Sequence, residues 1–280
     1  MKRLTVMVLA LAVVAGSAFA TPLVGRSGAT LKPFQLLGWL NAGWVRSEKG
    51  YNWDSLAYIA LPTASKMSAA SAELTASIGL PGKLELTAVA PLLMKQGNTQ
   101  SSTGLGDVIV YARYGILQSP LLPVKLAALL GVKLPTSSKD AIPALGRAST
   151  DIGLGLSALT MSLGKVAVHA RAGYWLNGKI NDTTKIGNQM EYLLVGDYAV
   201  SKCFTPELAL SGLMSGQRLV NGTAVPKTQS GIHNVGLLLM FKPLPMLVVR
   251  PKVSMPLEFL CQGASVSGPA VGLDVWATLP

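Results

Sequence analysis

The sequence predicts an all-β fold: a transmembrane antiparallel β-barrel of about 12 strands that follows a cleaved signal peptide. Three observations lead to this prediction. The chain begins with an export signal, segments with alternating apolar and polar side chains recur to its end, and short turns alternate with long polar connections.

Residues 1–20 have the three parts of a secretory signal peptide. A basic start (MKR) precedes an apolar stretch that ends near Gly16, and SAFA at 17–20 places small residues at the −3 and −1 positions. We expect cleavage before Thr21, which assigns residues 1–20 to the signal peptide and 21–280 to the barrel. A membrane anchor is the alternative, but the apolar run is short for a bilayer span.

The composition limits the possible classes. Half of the residues are hydrophobic, yet no segment after the signal has the ~20 uninterrupted apolar residues that a spanning helix needs. The mean hydropathy of +0.42 would itself suit a helical membrane protein. The net charge of +11 falls to +9 once Lys2 and Arg3 leave with the signal. Export, and the lack of long Lys/Arg runs, argue against nucleic acid as a partner and favour anionic lipid.

Residues 165–178 (KVAVHARAGYWLNG) show the alternation most clearly. Their even positions up to 176 are all apolar or aromatic, whereas the odd positions include Lys165, His169 and Arg171. Successive side chains of a β-strand point to opposite faces, so the pattern predicts one apolar and one polar face. In a membrane barrel the apolar face meets lipid and the polar face lines the lumen.

The same period recurs, in chain order, in segments 106–117, 123–134, 151–157, 190–198, 247–258 and 271–275. The polar register identifies the side chains that we expect to line the lumen and form a solute path: Asp107, Arg113, Lys125, Lys133, Asp151, His169, Arg171, Glu191, Asp197, Arg250 and Lys252. With Lys165, Glu207, Glu258 and Asp274 added and His169 left aside, bases and acids number seven each. Such a balance suits a cross-linked lumen more than a strongly ion-selective pore.

The connections between these segments alternate in length. Tight turns are expected at 81–83, 118–122, 163–165, 202–205 and 242–245, and long polar connections at 95–104, 135–149, 179–188, 219–230 and 260–268. Outer-membrane barrels have short periplasmic turns and longer extracellular loops. Residues 47–66 remain open to three interpretations: a long first loop, an extended strand, or a segment folded into the lumen as a plug.

A soluble β-sandwich or lipocalin-like barrel is the alternative fold, because it also alternates apolar and polar residues. Its strands would be shorter, about 5–6 residues. It would also have no reason to place short turns at one end and long loops at the other. The membrane barrel is therefore favoured.

Several segments together resemble a known family. TGLGDVIVYARYGIL (103–117), KLAALLGVKLPT (125–136), LGRASTDIGLGLSAL (145–159) and AVHARAGYWLNG (167–178) resemble the meta-pathway phenol-degradation family of outer-membrane β-barrels, and SIGLPGKLELTAVAPL (77–92) resembles its first tight hairpin. The resemblance covers roughly residues 30–280 and implies a transporter-like barrel. Barrels of this kind commonly end on an aromatic residue that the barrel-assembly machinery recognises. This chain ends in GLDVWATLP, with Trp276 four residues before the end.

The sequence offers little for catalysis. Ser157, His169 and Asp151 could supply a hydrolase triad, but nothing in the sequence fixes the geometry that a triad needs. We expect lumen pairing instead, no catalytic residue and no enzyme activity. The two cysteines, Cys203 and Cys261, form neither a disulfide framework nor a metal cluster, so no cofactor and no metal are expected.

These observations together predict a barrel in the outer membrane of a Gram-negative bacterium. The expected function is passive uptake of small solutes, and the family resemblance points to hydrophobic or aromatic ones. The expected partners are outer-membrane lipid, a small-molecule solute and the barrel-assembly machinery, with no nucleic acid. The alternatives are a structural or adhesive barrel whose loops bind partners without transport and, more distantly, an outer-membrane lipid hydrolase.

Overall fold

Twelve long antiparallel strands form a closed barrel in the computed structural model, which describes residues 28–97, 100–118, 121, 123–138, 140–147, 149–160, 164–263 and 266–279. In chain order the strands are β1 Leu36–Asn52, β2 Ser68–Leu80, β3 Leu84–Gln96, β4 Val108–Leu117, β5 Val124–Leu134, β6 Asp151–Thr160, β7 Val166–Leu176, β8 Gln189–Tyr198, β9 Phe204–Ser215, β10 Ser230–Leu244, β11 Leu247–Pro256 and β12 Ala270–Leu279. The predicted fold class and strand number are therefore confirmed.

Each strand pairs with its neighbours in the chain, and β1 closes the ring. It pairs with β2 from Leu36 to Arg46 and with β12 from Leu36 to Trp44. Closure matters because the hydrocarbon core offers no water to the backbone, so every N–H and C=O must find a partner in the protein. No helix among the described residues is long and apolar enough to cross a membrane.

The two ends of the barrel differ as the sequence predicts. Short turns join the strands at one end, as between β2 and β3 (residues 81–83), β8 and β9 (199–203) and β10 and β11 (245–246). The connections at the other end are longer and carry their own structure: strands Ala57–Ala60, Ser101–Leu105, Thr184–Lys185, Leu219–Val220, Thr223–Ala224 and Val266–Ser267, and 3-10 helices Thr63–Ser65 and Glu258–Leu260. In an outer-membrane barrel the short-turn end is periplasmic and the long-loop end extracellular.

The two faces of the wall have opposite character. Leu130, Leu154 and Leu208 on the outside are more than half exposed, whereas Asp151 and Asp274 on the inside have no exposed surface. An apolar exterior with buried charges is the reverse of a soluble barrel and is typical of a wall that faces lipid. The burial of β7 alternates from Ala170 to Leu176 as the pattern at residues 165–178 predicts, whereas Lys165, expected inside, is exposed in the turn before the strand.

Of the three interpretations of residues 47–66, the extended strand agrees best with the structure, because β1 continues to Asn52 and pairs with Ala57–Ala60 in an extracellular hairpin. Two sequence expectations need correction. The predicted loop at 95–104 contains a strand, Ser101–Leu105, that runs back along β3. Glu258, expected inside, lies in a 3-10 helix at the extracellular end and pairs with Lys49 at 2.7 Å, because β11 ends at Pro256 and its alternation ends there. The expected signal peptide at 1–20 lies outside the described residues.

Cys203 and Cys261 lie at opposite ends of the barrel and are both free, as the strand count predicts. Cys203 is exposed in the turn between β8 and β9, whereas Cys261 is buried in the last extracellular loop. The Cys261 thiol donates to the carbonyl oxygen of His233 at 3.6 Å. Burial raises the pKa of the Cys261 thiol, which keeps it from forming the reactive thiolate.

We predict that a maleimide modifies Cys203 and not Cys261 in the folded protein, because the first thiol is exposed and the second is buried and protonated. Mass spectrometry after a short reaction should find one modified cysteine per folded chain and two per unfolded chain. Fast modification of Cys261 in the folded protein would show that the last extracellular loop does not pack as described.

We predict that Leu156→Arg on the lipid face of β6 impairs the barrel, because Leu156 is 52% exposed at the centre of the strand. An arginine facing the bilayer midplane costs about 2–4 kcal/mol. Leu156→Met is the matched control of similar length. The folded fraction, measured as the band that migrates faster before boiling, should fall for the arginine variant only. Equal folded fractions for both variants would mean that Leu156 does not face lipid.

Candidate solute path in the barrel lumen

The lumen is lined by buried charges that pair with one another. The most connected group lies where β11 and β12 meet. The Asp274 carboxylate accepts hydrogen bonds from Arg250 Nε at 2.9 Å, Arg250 Nη2 at 2.7 Å and Lys252 Nζ at 2.9 Å. Arg250 Nη1 also donates to Glu207 on β9 at 2.8 Å. We call Glu207, Arg250, Lys252 and Asp274 the β11–β12 network.

This network continues across the closing strand. Lys252 Nζ donates to Asn41 on β1 at 3.0 Å, and Asn41 donates in turn to Glu73 on β2 at 3.2 Å. The Arg250 guanidinium packs over the rings of Trp39 and Trp276, 5.8 and 5.0 Å from their centroids. Side chains from β1, β2, β9, β11 and β12 are thus cross-linked inside the barrel at the point of closure.

A second group lies towards the periplasmic mouth. Arg113 Nη1 on β4 donates to Glu85 on β3 at 2.9 Å, and both side chains are almost fully buried. The chain before β1 is bound to the same pair: the Leu31 N–H donates to Glu85 Oε2 at 2.9 Å, and Arg113 Nη2 donates to the Ala29 carbonyl at 3.1 Å. Residues 28–32 therefore cross the inward surface of β2 to β5 at this mouth.

Close backbone contacts confirm the course of this segment. Gly28 lies against the carbonyl of Lys125 on β5, and a Cβ on Gly79 of β2 would lie only 2.0 Å from the Lys32 carbonyl oxygen. Glycine is required at both positions because any larger residue would push the segment off the wall. The periplasmic opening is thereby narrowed by the chain itself.

A third group lies at the extracellular rim. Asp151 at the start of β6 accepts from Lys133 at 3.3 Å, Ser149 Oγ at 2.8 Å and the Gly178 N–H at 3.0 Å. Asp107 accepts from the Arg147 N–H at 2.7 Å. These two carboxylates bind Arg147 and Ser149 of the loop between β5 and β6 to the barrel rim.

Between these groups lies an aromatic layer. Trp175 has no exposed surface, its indole N–H donates to Glu191 at 3.3 Å, and Lys133 Nζ lies 4.9 Å from the centre of its ring. Arg171 is buried and interacts electrostatically with Glu191. Nearer the periplasm, His169 Nε2 lies 2.7 Å from an Asp197 carboxylate oxygen.

The structure places the eleven sequence-predicted side chains on or beside the inner wall, but with different roles. Arg113, Lys133, Asp151, His169, Arg171, Glu191, Asp197, Arg250 and Lys252 are engaged in the contacts just described. Asp107 anchors a loop at the rim. Lys125 lies at the periplasmic end, where its backbone contacts the N-terminal segment.

Sequence reasoning missed several members of the lumen. Glu85 and Glu73 follow the same alternation in β3 and β2, so the period alone could have identified them. Trp39, Trp175 and Trp276 occupy the polar register, which is a signal for aromatic side chains inside a barrel. Arg147 gave no signal, because its position depends on how a long loop folds.

The hydrolase triad considered from the sequence is not assembled. Asp151 lies six residues along β6 from Ser157, about 20 Å at ~3.3 Å per residue. Asp151 binds Lys133, whereas His169 pairs with Asp197. Among the described residues, no three His, Cys, Asp or Glu side chains form a group that could hold a metal ion.

The chemistry of the lumen is that of an electrically balanced wall. Buried charges are costly unless they are paired, and here each described basic group of the β11–β12 network has a carboxylate within 3 Å. Such a wall offers hydrogen bonds to a small polar group without a strong field of one sign. Side chains extend into the lumen, and residues 28–32 cross its wall at the periplasmic mouth.

Comparisons with known proteins identify relatives of the chain. The family described as "Putative MetA-pathway of phenol degradation" matches residues 27–259. An outer-membrane channel from Pseudomonas putida F1 superimposes with a TM-score of 0.79 at 14% identity, covering 92% of this chain and 100% of that one. The NanC porin gives 0.53 at 12% identity, covering 87% and 100%. The translocator domain of the Neisseria meningitidis autotransporter NalP gives 0.50 at 8%, covering 88% and 89%. No curated protein matches the sequence.

We predict that Asp274→Asn destabilises the barrel by about 3–5 kcal/mol, because it leaves Arg250 and Lys252 buried with a lost counter-charge. Asp54→Asn is the control, since Asp54 forms an exposed ion pair with Lys227. Urea unfolding in lipid vesicles, followed by tryptophan fluorescence, gives the two free energies of unfolding. If both variants unfold at the same urea concentration, the β11–β12 network does not stabilise the closure.

Proposed function

Since the chain belongs to the MetA-pathway phenol-degradation family, we propose that it is an outer-membrane channel of a Gram-negative bacterium for the passive uptake of small, hydrophobic or aromatic solutes. The observation that carries this proposal is the lumen itself, a closed barrel whose inner wall is charged but internally neutralised. A solute of no net charge would meet hydrogen-bonding groups there and no strong field.

The size of the barrel supports passage of small molecules only. Barrels of about 8 strands have interiors filled by side chains, and those of 16 or more enclose an aqueous channel. Twelve strands lie between these limits. Arg113, Arg171 and Arg250 extend into the interior, and residues 28–32 cross the wall at the periplasmic mouth. Slow permeation of a phenol-sized molecule fits this space better than bulk diffusion does.

The remaining partners follow from the two faces of the wall. The outward leucine-rich band would bind the acyl chains of outer-membrane lipid. The barrel-assembly machinery would insert a chain whose last strand, β12, turns Trp276 into the lumen.

We also propose that the protein is not an enzyme, because the candidate triad is not assembled and each of its acidic and basic members is paired elsewhere.

The direct test is the initial rate of uptake of labelled phenol by cells that lack the gene and by the same cells with the gene restored. The lipopolysaccharide leaflet is the barrier, so intact cells are needed. We expect faster uptake with the gene present. Equal rates, together with no conductance of the purified protein in planar bilayers, would contradict the channel and favour a structural or adhesive barrel.

We predict that the double variant Arg113→Ala/Glu85→Ala raises ion conductance in planar bilayers. It removes both members of a buried pair, which avoids leaving an unpaired charge, and it releases the N-terminal segment from the periplasmic mouth. Lys49→Ala/Glu258→Ala removes an extracellular ion pair and is the matched control. Unchanged conductance in the lumen variant would show that this pair does not constrict the path.

A further inference from the structure

At the extracellular rim, beyond the closed ring, one described strand has an edge without a strand partner. Strand Ser101–Leu105 pairs with β3 from Leu92 to Gln96. Its other edge has no strand partner among the described residues, because β5 ends at Leu134 where it pairs with Val108. An edge strand presents alternate N–H and C=O groups that no ladder satisfies. Here that edge faces residues 136–138 and 140–145 of the loop between β5 and β6.

A cavity of about 800 Å³ lies between the edge strand and this loop. Its volume falls within the usual range of small-molecule sites, about 300–1,000 Å³. The side chains that matter for its chemistry are Thr103, Leu105, Ser138, Asp140, Ile142 and Leu145. None of them belongs to the lumen groups described above.

The loop that forms one side of the cavity is held in place. Ser102 Oγ donates to the Pro143 carbonyl and Lys95 Nζ donates to the Ala144 carbonyl. Leu145 is 4% exposed and packs on Gly104, where an added Cβ would lie 3.0 Å from its Cδ1. Since these contacts anchor the loop to the strand, little ordering would be needed on binding.

The cavity adjoins the lipid-facing band. Leu105 pairs with Leu92, and the two side chains are 43% and 54% exposed on the outside of the wall. On the inner side, Asp107 and Leu145 lie at the mouth of the lumen. A solute in the cavity would thus lie between the outer lipid surface and the lumen entrance.

The lining selects a particular chemistry. Leu105, Ile142 and Leu145 offer apolar contact, and the free strand edge and the Thr103 and Ser138 hydroxyls offer hydrogen bonds. The Asp140 carboxylate accepts a hydrogen bond from a hydroxyl and repels an anion. A small neutral molecule with an apolar ring and one hydroxyl satisfies all three features, whereas an aromatic carboxylate does not.

We propose that this cavity is a binding site for a neutral phenol-like solute at its point of entry through the wall. The inference rests on the proposed function and deepens it, since it names where the solute binds first and why a hydroxyl is favoured. From this site the solute would reach the lumen past Leu145.

Binding is tested by cysteine protection. Thr103→Cys in a Cys203→Ser background places one accessible thiol in the cavity, and Thr223→Cys in the same background places one on an exposed extracellular strand outside it. Phenol should slow maleimide modification at position 103 by about threefold when its concentration is twice its dissociation constant. It should not slow modification at position 223. Benzoate should slow neither. Equal effects of phenol and benzoate at position 103, or no effect of phenol, would overturn the site.

Entry is tested separately by filling the cavity. Thr103→Trp should lower phenol uptake by cells, whereas Thr223→Trp should not, and the folded band on gels checks that both variants assemble. Normal uptake with Thr103→Trp and no phenol protection would reject the site and leave the channel proposal intact. If phenol protects position 103 but cells take up phenol equally fast with and without the protein, the channel proposal is rejected and the binding site is retained.

Discussion

Closure of the backbone hydrogen-bond ring is the constraint on which the rest of the structure depends. A strand in hydrocarbon cannot leave an edge unpaired, because each unsatisfied group costs several kcal/mol. The chain meets this constraint when β1, its first barrel strand, pairs with both β2 and β12. Once the ring is closed, successive side chains of each strand point alternately to the lipid and to a confined interior. The apolar exterior and the charged lumen are two results of one geometry.

Confinement then determines how the charges behave. A carboxylate such as Asp274, with no exposed surface, is tolerated only beside cations, and Arg250 and Lys252 supply them. Pairing also places cross-links between strands that are distant in sequence, since Asn41 and Lys252 join β1 to β11. The same side chains that stabilise the barrel therefore narrow and neutralise its interior. This combination is poorly suited to selecting ions and well suited to admitting small neutral solutes.

The period of the sequence predicted much of this architecture because period 2 is a direct consequence of the strand pleat. It assigned a face to Arg171 and Lys252, and the alternation of short and long connections oriented the barrel. The period does not predict which side chains pair. The pairs Lys252–Asp274 and Glu85–Arg113 depend on the register between strands. It also fails where strands end, as for Glu258.

Features outside the strands gave the weakest signals. The position of the N-terminal segment depends on contacts with Glu85 and Arg113, which are more than fifty residues away. The loop between β5 and β6 is held by Asp107, which the alternation identified only as a lumen residue. Long-range contacts of this kind leave no local pattern in the sequence. The positions of the N-terminal segment and of the loop between β5 and β6 could therefore be learned only from the three-dimensional structure.

We infer that the lumen admits small neutral solutes and discriminates against charged ones of the same size. To test this, initial uptake of phenol and of benzoate is compared in cells with and without the protein, at a pH where benzoate is ionised. The protein should increase phenol uptake and leave benzoate uptake nearly unchanged. An equal increase for both solutes, or an increase for benzoate alone, would contradict the claim.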